Sequence, residues 1–313
     1  MVSRKSIKAG LIIIFILQSL ATAVPYQIKS TKVQAEDAKY LKAIEKWRAE
    51  RIAEINGEDG WTTLVGLFWL KPGSNKLGSD PSNDIVLPLP NTQKFVGSIL
   101  LDNGVVRLEA DPKAGITSDG KTVTSMELQS DEKGKRTTLF LGSLKLLVIK
   151  RGDKLGLRVK DNRHPARANF AGLEYFPLSL KWNLKANFVP YSPPKSVPMT
   201  NVLGMVEDMI SPGALVFEID GNSYRLDPVL EKGSNKLFVI FSDKTAGKET
   251  YGAGRYLYAD PPGADGKVIV DFNKAHNPPC AFTKFATCPL PPRQNRLSIR
   301  IEAGEKKYAG AEL

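Results

Sequence analysis

The sequence predicts a mainly β protein, built from one or two antiparallel β-sandwich or barrel units and preceded by an amphipathic N-terminal helix. Short apolar runs that alternate with polar residues recur between turn signals from Trp61 onward. Helical periodicity is confined to one segment before them, so the strand–helix alternation of a parallel sheet is lacking. The 313 residues, of which 42% are hydrophobic, are enough for one large core or two ordinary ones.

The first 23 residues predict a secretory signal peptide. Three cations within the first eight residues precede the apolar run Leu11–Leu17, and Ala21-Thr22-Ala23 has the small-residue pattern of a cleavage site. The apolar run is shorter than the ~20 residues that span a membrane. We therefore expect cleavage before Val24, a periplasmic or extracellular protein, and no stable transmembrane anchor. An uncleaved membrane anchor is the alternative.

The charge balance indicates a solvated basic surface and not a nucleic-acid interface. The chain has 44 Lys and Arg against 33 Asp and Glu, which gives a formal net charge of +11. Three of the cations lie in the predicted signal peptide. The lysines are spread along the chain with acids among them, and they form no stripe with interleaved aromatic residues. We expect no nucleic-acid partner. A small polar or anionic ligand, or an envelope component, suits this charge better.

Residues 24–60 predict a spacer followed by an amphipathic helix. Residues 24–35 lack periodicity, whereas apolar residues recur at three-and-four spacing from Glu36 to Asn56. Asn56-Gly57 is a C-terminal stop signal. We expect the helix to pack on the main body of the protein. Binding of a partner by this helix is the alternative.

Two β units are predicted, an N-terminal one at residues 61–163 and a C-terminal one at residues 164–313. Asp102-Asn103-Gly104 and Arg151-Gly152-Asp153 each separate two apolar runs, as hairpin turns do. The segment Val189–Val197 contains three prolines, which neither a helix nor a central strand tolerates. We therefore predict a boundary or a long crossing loop there. A single extended sandwich is the alternative.

One stretch of the N-terminal β unit has a distinctive order of residues. Gly78-Ser79 is followed by Asn83-Asp84-Ile85-Val86-Leu87. This order resembles the forkhead-associated sandwich, in which a Gly-Arg turn, an Asn-Asp-Ile-x-Leu strand and a Ser-x-x-His turn bind phosphothreonine. Ser79 stands in place of the phosphate-binding arginine, and no Ser-x-x-His follows. Because phosphate recognition needs charge-assisted donors at those positions, the resemblance implies the scaffold without phosphothreonine binding.

Three distinctive sequence runs lie in the C-terminal unit. They are Glu249–Arg255, Asp271–Phe282 and Cys288–Leu297. These runs look like those of the DUF1684 family of bacterial and archaeal proteins. Gly60–Leu70 and Gly78–Asp80 also look like it, so the resemblance extends over most of the mature chain. It implies no activity, because the family is uncharacterised.

The two cysteines, Cys280 and Cys288, predict a disulfide across a short loop. An even pair in an exported protein is expected to be oxidised, and in the chain-entropy model this bond contributes about 2–3 kcal/mol. A cysteine nucleophile with His276 as its base is an alternative, although Pro278-Pro279 excludes the helical turn that would join them. A zinc site would also need His276 or His164 and matches no usual spacing, so no metal is predicted.

Six polar residues of the C-terminal unit form either a ligand site or a buried structural network. An acid, a cation and several amides can orient a small anionic or hydroxylated ligand, or they can hold an irregular loop in place. For these six side chains we favour the structural network, and for the protein as a whole we favour binding of a small ligand or envelope component through this C-terminal region. A hydrolase with Glu249 or Asp271 as base and Arg255 stabilising negative charge is one alternative, and a purely structural or interaction role is another. No motif predicts a cofactor. The six residues are Glu249, Tyr251, Arg255, Asp271, Asn273 and Asn277.

Overall fold

A computed structural model describes residues 25–88 and 92–310, and it describes side chains from residue 35 onward within those ranges, except at Lys133. The predicted signal peptide, residues 1–23, lies outside the described residues. The chain divides into two compact units, Met1–Ala43 and Ile44–Leu313. Within the described ranges, none of the helices is both long enough and apolar enough to cross a membrane.

The predicted N-terminal helix is present and is longer than expected. Helix α1 spans Pro25–Asn56, so the prediction of a spacer at residues 24–35 is wrong from Pro25 onward. Proline suits the first turn of a helix, and the Lys, Gln and Ala residues that follow it favour helix. The predicted stop at Asn56 is confirmed. Within the second unit, Ile44 and Ile55 are fully buried, so this end of the helix packs into the body.

Residues 64–161 form a β-sandwich. Its strands are β1 Leu64–Trp69, β2 Gly73–Gly78, β3 Ile85–Val86, β4 Gly97–Asp102, β5 Val105–Ala110, β6 Thr117–Ser118, β7 Lys121–Thr122, β8 Ser125–Glu127, β9 Thr138–Leu141, β10 Leu144–Arg151 and β11 Lys154–Asp161. The six-stranded sheet has the order β1-β11-β10-β9-β6-β7, and the five-stranded sheet has the order β3-β2-β4-β5-β8. Alternate apolar residues of both sheets, such as Leu108 and Leu157, form the core between them.

A third sheet follows the short helix α2, Pro165–Ala168. Its strands are β12 Asn183–Thr200, β13 Val206–Ile219, β14 Asn222–Leu226, β15 Val229–Leu230, β16 Leu237–Phe241, β17 Arg255–Ala259 and β18 Lys267–Asp271. The order is β17-β16-β15-β13-β12-β18, and β14 also pairs with β13. Phe217, Phe241 and Phe272 contribute to a second core on this sheet. The predicted fold class, a mainly β protein that begins with a helix, is confirmed.

The proline-rich segment is a strand, so the predicted boundary or crossing loop at Val189–Val197 is wrong. Strand β12 runs through this segment and pairs with β13 on both sides of a register shift between Pro190 and Lys195. In the described sheet, its other edge pairs with β18 only at residues 183–187. The prolines therefore lie at a bulge or along an edge, where a missing N–H group breaks few ladder hydrogen bonds.

The segment that contains the distinctive runs Asp271–Phe282 and Cys288–Leu297, called the motif region below, begins at the end of the last strand. The sandwich ends at Asp161 and the third sheet begins at Asn183, so the predicted division at residue 163 falls between them, although Ile44–Leu313 is one compact unit. Residues 272–310 contain short turns, among them Phe272–Lys274, Pro279–Ala281 and Arg293–Asn295. This irregular segment carries most of the residues that the sequence singles out.

Candidate functional site

The predicted site residue Arg255 lies in a sealed structural network. It belongs to β17 and is fully buried, and its guanidinium donates to the carbonyl oxygens of Ala303 and, at 2.9 Å, Ile301. It also pairs with Asp243 at 3.3 Å, whose carboxylate accepts from the Ile301 amide at 2.6 Å. Only Nε of this guanidinium lacks a partner. Arg255 therefore ties the C-terminal segment to the third sheet.

Asp271 and Asn273 close the turn after β18. The Asp271 carboxylate accepts from the backbone and side-chain amides of Asn273, each at 3.2 Å. The Asn273 side chain is fully buried, donates to the carbonyl oxygen of Ser179 at 2.9 Å and accepts from its amide at 3.3 Å. These bonds join the turn to the segment that precedes β12.

Asn277 belongs to a buried cluster with Glu305 and Arg51. The Glu305 carboxylate accepts from the backbone and side-chain amides of Asn277 at 2.8 and 3.0 Å and pairs with Arg51 of α1 at 3.2 Å. Arg51 also donates to the Asn277 carbonyl oxygen at 2.9 Å. The cluster joins the helix to the motif region with both of its ions paired. Tyr251 is likewise held by the chain, because its hydroxyl donates to the Cys280 carbonyl oxygen at 3.1 Å.

Glu249 lies at the surface, in an ion pair with Arg300. The hydrogen bond from Arg300 holds the pKa of the Glu249 carboxyl below its ordinary value. Because Arg255 is enclosed and Glu249 is paired outside, the structure does not bring these two hydrolase candidates to a shared open site. None of the six predicted residues lines the large cleft of the second unit, and ligand binding by them stays a prediction.

This cleft, of about 710 Å³, opens within the second unit among the sandwich, the third sheet and the end of α1. Strands β10 and β11 carry Arg151 and Arg158 to its wall, and α1 contributes Trp47. Residues between His276 and Pro289 of the motif region form another wall. The volume lies within the range of roughly 300–1,000 Å³ that is usual for small-molecule sites.

Arg158 is a buried cation without a hydrogen-bond partner in the described part of the chain. On β11 it alternates with Leu157 and Val159, which face the sandwich core, so its side chain lies on the opposite face. The residue is 6% exposed, its Nε is buried and unpaired, and its guanidinium carbon lies 5.5 Å from the centre of the Trp61 ring. Burial, and then repulsion by Arg151, lower its pKa to about 10. The guanidinium is therefore charged at neutral pH and forms no ion pair among the described residues, although the charge of Asp131 acts on it and raises its pKa.

The carboxylate whose charge acts on Arg158 is paired with another cation. Asp131 lies in the same cleft but is paired with Arg151 at 2.8 Å, and Arg151 also donates to the Thr287 hydroxyl at 3.2 Å. Lys160 follows on the same face of β11, and burial lowers its pKa to about 8. A carboxylate, sulfate or phosphate group would restore the hydrogen bonds that Arg158 loses on burial.

Another part of the cleft is aromatic. Phe238 and Tyr258 are cross-strand partners with ring centres 4.7 Å apart, and His276 stacks on Tyr258 at 6.0 Å. The Trp47 ring lies 6.2 Å from that of His276. Burial lowers the pKa of His276 to about 3, so its imidazole is neutral near pH 7. Its Nδ1 lies 3.0 Å from the Lys274 carbonyl oxygen, and because a carbonyl can only accept, Nδ1 carries the proton.

Cys280 and Cys288 are free thiols in this structure, so the predicted disulfide is not formed in it. The two residues are nevertheless in contact, because the Cys280 amide donates to Cys288 Sγ at 3.0 Å. A hydrogen bond between the side chains lowers the pKa of Cys280 and raises that of Cys288. Among the described residues, no three His, Cys, Asp or Glu side chains are grouped so that they could hold a metal ion.

Sequence reasoning missed Arg158 and Arg151 as site residues. Arg158 and Lys160 alternate with Leu157 and Val159, which is the usual pattern of a strand with one face in water. That face is instead covered by residues distant in sequence, including Trp61 and Thr287. No local signal distinguishes the two situations.

Comparisons with known proteins concern the C-terminal half of the chain. The family model described as "Protein of unknown function (DUF1684)" matches residues 168–306, so Gly60–Leu70 and Gly78–Asp80, where a resemblance was also expected, lie outside the match. Among solved structures, the chain is similar to an uncharacterised protein of Haloarcula marismortui determined by solution NMR, at 32% identity, covering 45% of this chain and 80% of that one with a TM-score of 0.39. No curated protein matches the chain.

The forkhead-associated resemblance receives no support from these comparisons and stays a prediction. The matched range 168–306 contains all three of the distinctive runs, from Glu249 to Leu297. The chain belongs to the DUF1684 family, whose function is unknown.

Proposed function

We propose that this protein binds a small anionic ligand in the cleft of about 710 Å³. The observation that carries the proposal is Arg158, a buried guanidinium on the cleft wall with no hydrogen-bond partner in the described residues. A buried, unpaired charge destabilises a fold, so retaining it calls for a partner that the chain itself does not provide. An anionic ligand group can accept two parallel hydrogen bonds from Nη1 and Nη2.

The contrast with Arg255 supports the proposal. Both arginines lie on strands and both are buried. Arg255 donates to two carbonyl oxygens and pairs with Asp243, as a structural arginine does. Arg158 has none of these acceptors and borders an open volume instead. The difference in partners argues for different roles.

His276 and two of the four carboxylates that line the cleft are poor candidates for acid–base catalysis. With a pKa of about 3, His276 is a weak base at neutral pH. Glu54 pairs with Arg51 at 3.1 Å, and Asp131 pairs with Arg151 at 2.8 Å. These carboxylates are engaged by cations, so they are poor candidates for a general base.

The proposal also covers the motif region, as a wall of the cleft, and the predicted signal peptide, as the basis for export. Residues between His276 and Pro289 line the cleft, which supports a role of the C-terminal motif region in ligand binding through the shape of this wall. We also propose that the protein is exported, on the strength of the leader sequence. The ligand would then be an envelope component or a solute of that compartment, and Cys280 and Cys288 would be oxidised there.

Thermal unfolding in the presence of sulfate, phosphate and small carboxylates tests the proposal. A ligand at a hundredfold its Kd stabilises the native state by about 2.7 kcal/mol. We expect a rise in Tm for the wild type and for Arg107→Met, a control that removes an exposed arginine of β5, but not for Arg158→Met. Equal responses of all three proteins would overturn the proposal, as would the lack of any response in the wild type.

A further inference from the structure

We propose that the anionic ligand is a sugar acid, a ring that carries one carboxylate and several hydroxyl groups. This inference rests on the proposed binding of an anion at Arg158 and concerns the remaining walls of the cleft. Those walls combine an unprotonated imidazole nitrogen, several carboxylates and aromatic rings. Each feature restricts the chemistry of the rest of the ligand.

His276 presents a hydrogen-bond acceptor to the cleft. Because Nδ1 donates to the Lys274 carbonyl oxygen at 3.0 Å and the ring is neutral, Nε2 carries a lone pair. Nε2 has no partner in the described part of the chain and is not among its buried unpaired atoms, so it is open to the cleft. The ring is 9% exposed and is flanked by Trp47 and Tyr256, each 6.2 Å away. A ligand hydroxyl or N–H group would satisfy this fixed acceptor.

Two carboxylates that form no ion pair among the described residues add acceptors to the cleft. They are Glu207 and Glu231. Burial raises the pKa of the Tyr258 phenol, and the nearby Glu231 carboxylate adds a smaller rise. An ionised carboxylate accepts hydrogen bonds and donates none, so these groups favour hydroxyl donors. Apart from Arg158, the four cations and four carboxylates that line the cleft balance, so the lining offers no excess positive charge for a second acid group. The wall therefore favours a hydroxylated monoacid over a diacid or an apolar acid.

The aromatic rings offer their exposed edges to the carbons of a ligand ring, because the faces of Tyr258 are covered by Phe238 and His276. Tyr258 is 39% exposed and stacks between neighbours, with Phe238 at 4.7 Å and His276 at 6.0 Å. Trp47 lies beside His276. Aromatic side chains pack against C–H groups while the polar atoms around them bond to hydroxyls. The cleft has room for such a ring in addition to an acid group at Arg158.

Isothermal titration calorimetry with three matched probes tests the inference. D-glucuronate has the ring, the hydroxyls and the carboxylate, D-glucose lacks the carboxylate, and cyclohexanecarboxylate lacks the hydroxyls. We expect D-glucuronate to bind the full chain at least about tenfold more tightly than either of the other probes, because each of them leaves polar groups of the cleft without partners.

Three variants assign the preference to residues. Arg158→Met should abolish the preference for D-glucuronate over D-glucose. His276→Phe keeps a flat ring and removes the acceptor, so it should reduce the preference for D-glucuronate over cyclohexanecarboxylate, and His276→Gln, which has an amide oxygen, should recover part of it. Each readout is a ratio of affinities within one protein, so a general loss of stability does not alter it.

The outcomes separate this inference from the proposed function. Equal affinities of the wild type for D-glucuronate and cyclohexanecarboxylate, both lost in Arg158→Met, would overturn the sugar acid and leave the anion site in place. The same holds if neither acid binds while sulfate raises Tm through Arg158. If no anion acts through Arg158, the site itself is refuted and the sugar acid with it.

Discussion

Replacing Arg158 by methionine is expected to stabilise the ligand-free protein. Burial, and then repulsion by Arg151, lower the pKa of Arg158 from 12.5 to about 10, and since a pKa change of one corresponds to about 1.4 kcal/mol, this charge destabilises the fold by about 3 kcal/mol. The cation–π contact with the Trp61 ring, at 5.5 Å, stabilises the folded state by about 0.5–1 kcal/mol and offsets part of this cost. Methionine fills much of the same volume. The net gain is ~2–3 kcal/mol, or roughly 5–10 °C in Tm.

Arg255→Met is the matched control, with the opposite expected sign. This substitution removes hydrogen bonds to Ile301 and Ala303 and leaves the Asp243 carboxylate buried without its cation. Breaking such a pair destabilises a protein by about 3–5 kcal/mol. Thermal and urea unfolding of both variants, in buffer free of sulfate and phosphate, compares them. If Arg158→Met also loses several kcal/mol, Arg158 is a satisfied structural residue and the reasoning about its missing counterion is wrong.

Other measurements address the histidine, the buried acid and the thiols. In the His164→Gln variant the remaining histidine, His276, should show no NMR titration between pH 8 and 4.5, because burial lowers its pKa to about 3; a midpoint near 6.5 would contradict this. Since the unfolded chain binds that proton near pH 6.5 and the folded chain does not, His276 should lower the free energy of unfolding by roughly 2–3 kcal/mol as the pH falls from 7.5 to 4.5. Glu305→Ala should cost about 3–5 kcal/mol in urea unfolding, because the two buried Asn277 amides lose their acceptor and Arg51 keeps only Glu54 as its ion-pair partner, and a loss below 1 kcal/mol would refute the structural role of the cluster. Protein exported to an oxidising compartment should show no reactive thiol at Cys280 or Cys288 until it is reduced, and two thiols before reduction would exclude the disulfide.

The fold class could be predicted because alternation of side chains along a strand is a local property. Residues such as Leu155, Leu157 and Val159 share one face whatever lies opposite them. The end of α1 at Asn56 is local as well, since Asn-Gly stops a helix. The proline-rich strand β12 could not be predicted, because proline is excluded from central strands and tolerated at edges, and the edge position depends on how far β18 extends along it.

The candidate site could be predicted only in part. The motif region was expected to form the site, and residues from His276 to Pro289 do line the cleft. The polar residues that stood out, such as Arg255 and Asn277, proved to be bonded to the chain, because irregular backbone needs side-chain partners. Arg158 lies more than a hundred residues before that wall, and only the packing of the sandwich against it shows that the arginine is buried.

Anomalous diffraction from crystals soaked in sodium bromide would test anion binding at Arg158 most directly, because it locates the anion itself. We expect a bromide ion in the cleft, in contact with the Nη atoms of Arg158, and its loss from crystals of Arg158→Met. Bromide bound only beside exposed lysines, with none in the cleft of the wild type, would refute anion binding at Arg158.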